Sequence, residues 1–472
     1  MSTTRAPGPV TAACAICAEQ ISVAMLLAFT GLLLVEGVAA GWLAVAVGCG
    51  YVLLATLVVA PLRRSQVYSL SDFAEWRLQS RWVRRMVSFC AVWVGCLSVL
   101  SLFVLAGRLT AWLFGAPDWV GWLGLAVIAL PIALAGALGS STGFQALQFW
   151  GLLVTLATPV VMVAWGLPAV SIDGGGGGDI PVPVRGEGTG FLPETSVGTY
   201  SLYLALALGV VGFPQLAVRC STLRDARRAR RTVLLVPPLL ALLVLVPFGY
   251  TALATDFVRD QGVYPELLPL VLSTHAAPTA MGGILAAVLG LGVAVALVAG
   301  VSGLLRLMGG AIAQCVLGGG VSALRVGATL ALVVPLLGLA VLPGLSQLGL
   351  ATLVGVVFEL SAVTLAPMLI LGIWWDRLTD VGVASGLAVG FVATVVSLTL
   401  RVTAVPFGGG GAFGELVTQP VLLVTPAVVA VMMVVSLVTA RRAPPKVHAH
   451  LGRMHLAGAD EAPFTPPTAH RL

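Results

Sequence analysis

Ala205-Leu-Ala-Leu-Gly-Val-Val-Gly-Phe-Pro-Gln-Leu-Ala-Val-Arg219 is an apolar stretch interrupted in its middle by Gly209, Gly212 and Pro214. An arginine-dense segment, 224–231, follows it. Glycine and proline inside a spanning helix free backbone carbonyls and amides that hydrocarbon cannot satisfy. Such a break persists where protein or a water-filled cavity takes up those groups, and in broken-helix carriers that place holds the solute. Gly209, Gly212, Phe213 and Pro214 are therefore candidate substrate-binding residues.

Composition places the whole chain in a membrane. Of 472 residues, 58% are hydrophobic and 9% charged, and the mean hydropathy is +1.04, whereas a soluble domain averages about 25% charged residues. The net charge of +6 sits in short loops between apolar runs, which is the positive-inside pattern and not a nucleic-acid surface. The expected partners are membrane lipid and a small-molecule solute, with no nucleic acid; a small membrane partner subunit is left open.

About 20 apolar residues cross a bilayer core, and twelve such runs are predicted: about 12–34, 39–61, 86–114, 119–138, 144–167, 198–219, 232–254, 279–305, 321–343, 348–373, 381–403 and 418–440. With both termini cytoplasmic, Arg63/Arg64, the 224–231 cluster, Asp376-Arg377 and Arg441/Arg442 all fall on one side. The predicted plan is a cytoplasmic N-terminus (1–11), two five-helix units (12–167 and 198–373), an external Gly/Pro-rich loop (168–197), two further helices (374–440) and a disordered cytoplasmic tail (441–472). The glycine run at 174–178 lacks the Lys-Ser/Thr of a phosphate loop and reads as a linker. Cys14-Ala-Ile-Cys17 has no second pair or nearby histidine, so packing is expected over metal or redox chemistry. No nucleophile–base constellation is apparent, and no enzymatic activity and no cofactor are expected.

Three segments resemble a known family. Leu62-Arg-Arg-Ser-Gln-Val-Tyr-Ser-Leu-Ser-Asp-Phe-Ala-Glu-Trp-Arg77 is similar to a cytoplasmic loop of the sodium/solute symporter family. The pattern Leu208-Gly-x-x-Gly-x-Pro214, continued by Arg219-x-x-Thr-x-x-Asp-Ala-x-x-Ala-Arg230, resembles its cation–acetate branch more narrowly. Pro367, followed by Trp374-Trp-Asp-Arg-Leu-Thr-x-x-Gly382, resembles the end of that family's tenth core helix. The resemblance implies an all-α LeuT-type fold, five helices repeated in inverted orientation plus two C-terminal helices. It also implies that the first span, which here is the first core helix, is broken like the sixth. That span lacks glycine and proline but carries Glu19, Gln20 and Ser22 in an apolar run. Glu19 either reaches water at the cytoplasmic end or lines the solute path; Gln20 is a candidate substrate contact.

By the same resemblance, a sodium site would draw carbonyls from Ala18, Ile21 and Ala296. The hydroxyl positions fall on Ala299 and Gly300, with Ser302 nearby, and Gln148 stands where some relatives carry aspartate. That set implies weakened sodium coupling, so Na⁺ and H⁺ both remain coupling-ion candidates. Arg306 lies seven residues after Ala299 on the same helix face; it either sits at the cytoplasmic interface or supplies a fixed positive charge opposite Glu19. Arg108 reads as an outer-interface anchor or as a residue drawing an anion into the vestibule. Where relatives carry glutamine earlier in that helix, this chain has Leu102. The expected activity is alternating-access transport of a small organic solute, led by a short monocarboxylate such as acetate. A neutral or zwitterionic solute is the alternative within that class, and a non-transporting sensor or scaffold the alternative outside it.

Overall fold

A computed structural model describes residues 8–135, 142–164, 195–223, 225–254, 265–275, 279–316, 320–403, 412–442 and 447–455. All regular secondary structure among them is helical. In chain order the helices are α1 (Pro9–Gln20), α2 (Val23–Glu36), α3 (Gly41–Leu53), α4 (Val59–Ser65), α5 (Leu70–Leu78), α6 (Arg81–Phe114), α7 (Asp118–Ala135) and α8 (Thr142–Ala164). The second half comprises α9 (Ser196–Gly212), α10 (Pro214–Thr222), α11 (Ala226–Leu234), α12 (Val236–Ala254), α13 (Leu268–His275), α14 (Thr279–Cys315), α15 (Val321–Val341), α16 (Gly344–Gln347), α17 (Leu350–Val363) and α18 (Leu365–Trp374). The chain continues with α19 (Asp380–Thr403), α20 (Ala412–Thr418), α21 (Val421–Val438) and α22 (Val447–His455).

Among the described residues, eleven helical stretches are long and apolar enough to cross a membrane. The first of them, Val23–Ser65, is 43 residues long and carries two crossings, because Gly37 (φ +71°) ends α2 before α3 begins. Twelve crossings result, the number expected from the sequence.

Both expected breaks are present, and their causes differ. After α9 the backbone of Phe213 is extended (φ −63°, ψ 123°), and Pro214 opens α10, the helix position at which a missing N–H costs nothing. Between α1 and α2 the break needs neither glycine nor proline. Ile21 leaves the helical region (φ −87°, ψ 78°), and the Ser22 side chain accepts the Met25 amide at 3.2 Å, starting a new helix. Each break ends one helix and begins another, so carbonyls and amides without helical partners point into the bundle.

Glycine sets the distance between α9 and its neighbours. A Cβ on Gly209 would lie 2.7 Å from the Phe358 carbonyl oxygen of α17, and one on Gly212 would lie 2.7 Å from the Ala366 nitrogen of α18. The Gly209 carbonyl itself accepts the Ser361 hydroxyl at 2.7 Å. Backbone cannot yield as a side chain does, so Gly209→Ala is expected to destabilise the fold by about 1–3 kcal/mol. A melting temperature in detergent equal to that of the unchanged protein would contradict this.

Two buried charges away from the helix breaks have polar partners. Glu359, 3% exposed on α17, receives Arg401 Nη2 of α19 at 3.0 Å, which ties an additional helix to the core. On the loop helix α5, Arg77 is buried and donates to the Gly372 carbonyl at 2.8 Å and the Trp375 carbonyl at 2.9 Å. Burial pushes this guanidinium down to about 10, leaving it charged at neutral pH. A π-helical turn at Leu54–Val58 leaves the Leu57 carbonyl free to accept the Trp374 indole at 3.1 Å.

The chain after Ala440 departs from the expected disorder, since α22 docks on α4, α5 and α18. Met454 and Val447 are buried, Arg453 donates to the Gln66 side chain at 2.6 Å, and His450 stacks on Trp76 with ring centres 4.2 Å apart. An apolar edge at Val447 and Met454 anchors the helix, a signal that the surrounding histidines and prolines obscure. Residues 443–446 and 456–472 of that tail, and most of the expected external loop, lie outside the described residues.

Candidate functional site

The two breaks face each other, and three cavities converge on them. The first, about 40 Å³, is lined by Ala18, Glu19, Ile21, Gln148, Ala296 and Ala299, with Gln145 beside them. The second, also about 40 Å³, is lined by Glu19, Gln20, Ser98, Ser101, Phe213 and Gln215. The third is a vestibule of about 410 Å³ reaching from Glu19, Arg219 and Arg306 to Tyr68, Ser69 and Ser71 around the start of α5. Glu19, the penultimate residue of α1, borders all three.

Most residues singled out in the sequence gather here. Ala18, Ile21, Gln148, Ala296 and Ala299 share the first cavity; Gln20 and Phe213 share the second; Pro214 and Arg306 border the vestibule. Ser302 is buried, and its hydroxyl donates to the Ala299 carbonyl of its own helix at 3.1 Å, so its proton is spent within α14. Gly209 and Gly212 are turned to α17 and α18 and serve the packing described above.

The charge pairing differs from the expectation. Glu19 is paired directly with Arg219 of α10, whose Nε donates to Glu19 Oε2 while its Nη2 donates to Gln145 Oε1. Arg306 lies within the field of both Glu19 and Arg219, and its Nη1 is buried with no hydrogen-bond partner among the described residues. The cluster sets one carboxylate against two guanidiniums, so it is net positive by one charge. Arg219 escapes a sequence reading because it opens the basic segment that fixes topology. Gln145 lies one helical turn before Gln148 on α8, and that spacing is the only sequence trace of its role.

Oxygen ligands suit a hard cation such as Na⁺, and the first cavity supplies them: the Glu19 carboxylate, the Gln145 and Gln148 amides, and carbonyls at the broken end of α1. The donor set fits a cation once Arg219 releases Glu19. While the pair is closed, a guanidinium neutralises the best ligand.

Arg108 does not line the vestibule beside α5 and is buried within the protein. It is 5% exposed and paired with Glu266, itself 7% exposed, and it donates to the Leu348 carbonyl at 2.8 Å and the Ser346 carbonyl at 3.3 Å. Its charge is consumed by closing the bundle. The sequence carries no mark of this partner, which belongs to a turn 158 residues further on.

Solved structures share this architecture. A Na⁺-coupled sialic acid symporter in a substrate-bound outward-open state superposes with a TM-score of 0.65 at 11% identity, over 92% of this chain and 90% of that one. The manganese transporter of Eremococcus coleocola gives 0.55 at 12% identity, over 93% and 95%. Mhp1 in an inward-facing conformation gives 0.50 at 14% identity, over 97% and 98%. These likenesses establish the fold. Taken with the family profile of the sodium:solute symporters, which matches residues 2–390, the helix breaks and the shared architecture identify the chain as a member of the sodium:solute symporter family.

Proposed function

We propose that this secondary active symporter carries a small organic anion, of the size of a short monocarboxylate such as acetate, across the cell membrane by alternating access. The observation that supports the anion is the Glu19–Arg219–Arg306 cluster, with its surplus positive charge and the unpaired Arg306 Nη1 at the vestibule. An isolated charge at this depth is expensive unless a partner or water takes it up; a carboxylate in transit would supply that partner. The basic loops, read by the positive-inside rule, support a cytoplasmic vestibule and cytoplasmic termini.

Coupling would follow from exchange at Glu19. A cation, Na⁺ or H⁺, that occupies the Glu19 carboxylate displaces Arg219. The freed guanidinium then faces the solute site, so cation binding strengthens anion binding. The Na⁺-coupled character of the family favours Na⁺ in this role. Ala18, Ile21, Ala296, Ala299, Gln148 and Gln145 would surround it, and Gln20 and Phe213 would contact the solute.

Reconstituted vesicles provide the test. Labelled acetate uptake driven by an imposed Na⁺ or H⁺ gradient is expected, and Arg306→Ala should raise KM at least tenfold, the loss of about 1.4 kcal/mol of charged hydrogen bonding. Uptake indifferent to both gradients and to Arg306→Ala would refute the scheme. Absence of uptake across a panel of small solutes would favour a sensor that keeps the fold.

A further inference from the structure

One exposed helix face changes character along its length. Helix α11 runs on into α12 within one membrane-length helical stretch, Ala226–Ala252, and the Leu235 amide still donates to the Arg231 carbonyl across the junction at 3.2 Å. Arg227, Arg230 and Arg231 are exposed on α11. Steps of three and four residues carry the same stripe on through Leu234, Leu242 and Leu245, which are exposed as well. The opposite face, Ala226, Ala229, Thr232 and Val233, is buried where α11 packs on α4 and α1. Among the described residues, no carboxylate lies within ion-pair distance of Arg227, Arg230 or Arg231, whereas Arg228, off the stripe, pairs with Asp225 at 3.4 Å.

The positive-inside rule asks only that this segment be basic. It does not require three guanidiniums in a row at the head of an apolar stripe. From Leu234 to Leu245 the helix rises about 16 Å, close to one leaflet's share of a hydrocarbon core of about 30 Å. The stripe thus has the outline of a phospholipid, with the anion at the interface and a chain alongside the leucines. Phosphate oxygens accept guanidinium N–H groups in pairs, and a zwitterionic headgroup brings an ammonium that three arginines repel. We infer that this stripe binds an anionic phospholipid, its phosphate held by Arg227, Arg230 and Arg231 and an acyl chain laid against Leu234, Leu242 and Leu245. Residues 223–225 alone separate α11 from α10, so the headgroup sits beside the half-helix that carries Arg219. The assignment does not depend on which solute is carried.

The test reads lipid contact directly. A fluorophore is attached at Leu234→Cys in the full chain with the seven native cysteines replaced, and the protein is placed in phosphatidylcholine vesicles. Phosphatidylglycerol bearing a nitroxide on its acyl chain should quench the label at a mole fraction at least about fivefold lower than phosphatidylcholine bearing the same nitroxide, since each arginine near an anionic headgroup contributes about that factor. Arg227→Gln/Arg230→Gln/Arg231→Gln should make the two lipids equal, and the corresponding lysine triple should keep most of the preference. Arg81→Gln/Arg85→Gln, at exposed arginines of α6, should leave it intact. Arg230→Gln alone keeps the segment basic and should lower the preference part of the way, so the prediction stands even where the glutamine triple fails to insert. Equal quenching by the two lipids in the labelled parent, or a preference that persists in the glutamine triple, would overturn the site. Displacement of the nitroxide lipid by millimolar inorganic phosphate would overturn it in favour of a soluble anion.

Discussion

Arg219→Ala should abolish coupled uptake and lower stability together. In the native cluster the Arg219 guanidinium bridges Glu19 of α1 and Gln145 of α8 from its place on α10. Its side chain is 14% exposed and that of Glu19 20%, so water screens the pair little. Removing one member of such a pair leaves Glu19 without its direct partner and with Arg306 as the remaining guanidinium of the cluster, so the loss should stay below the roughly 3–5 kcal/mol of an uncompensated buried charge. Glu19 would then hold a cation or a proton permanently, because the competing guanidinium is gone, and the exchange step has nothing to exchange. The double variant Glu19→Gln/Arg219→Ala separates the two effects. It removes the stranded charge and should recover most of the melting temperature, yet it should not recover gradient-driven uptake. Arg219→Ala that transports at the normal rate with unaltered cation dependence would eliminate the coupling scheme.

How far the sequence discloses this site follows from the range of the interactions. The helix breaks are local events. Pro214 and the glycines announce one directly, and the other rests on a single capping serine, Ser22, that is visible only once a break is expected there. The positions to which the family resemblance assigns carbonyl ligands, Ala18, Ile21 and Ala296, line one and the same cavity. Side-chain partnerships are different in kind. Glu19 meets Arg219 across 200 residues of chain, Glu359 meets Arg401 across 42, and Arg108 meets Glu266 across 158. Arg219 and Arg108 each have a satisfactory local explanation, as a topology marker and an interface anchor, and nothing in periodicity selects their true partners. Arg306 illustrates the reverse error. It borders the vestibule with Glu19, but it is Arg219 that pairs with Glu19, from a half-helix whose direction the break alone determines.

Separating Arg108 from Glu266 is expected to open the far side of the protein. Helix α6 serves as a ruler for the path: Ser88 lines the vestibule, Ser98 and Ser101 the central cavity, and Arg108 lies beyond them. At 1.5 Å per residue, Arg108 lies about 10 Å past Ser101 and about 30 Å from Ser88. The conformation is thus open at the loop before α5 and shut at Arg108, where one guanidinium joins α6, the turn at Pro265–Leu267 and the approach to α17. Alternating access requires that junction to part. Glu266→Ala takes the paired carboxylate away from the buried Arg108 charge, a loss of about 3–5 kcal/mol, whereas each 1.4 kcal/mol shifts a two-state equilibrium tenfold. The variant should therefore favour the state open on the Arg108 side, where the guanidinium regains water. In a background with the seven native cysteines replaced, Leu102→Cys in the central cavity would report this. An impermeant maleimide added from the Arg108 side should label it at least tenfold faster in Glu266→Ala than in its parent. The paired change Arg108→Met/Glu266→Met should label at close to the parental rate, because well-packed apolar residues can replace a buried pair at little cost. Identical labelling in all three proteins would show that the outer closure is held by packing and that the ion pair does not gate it.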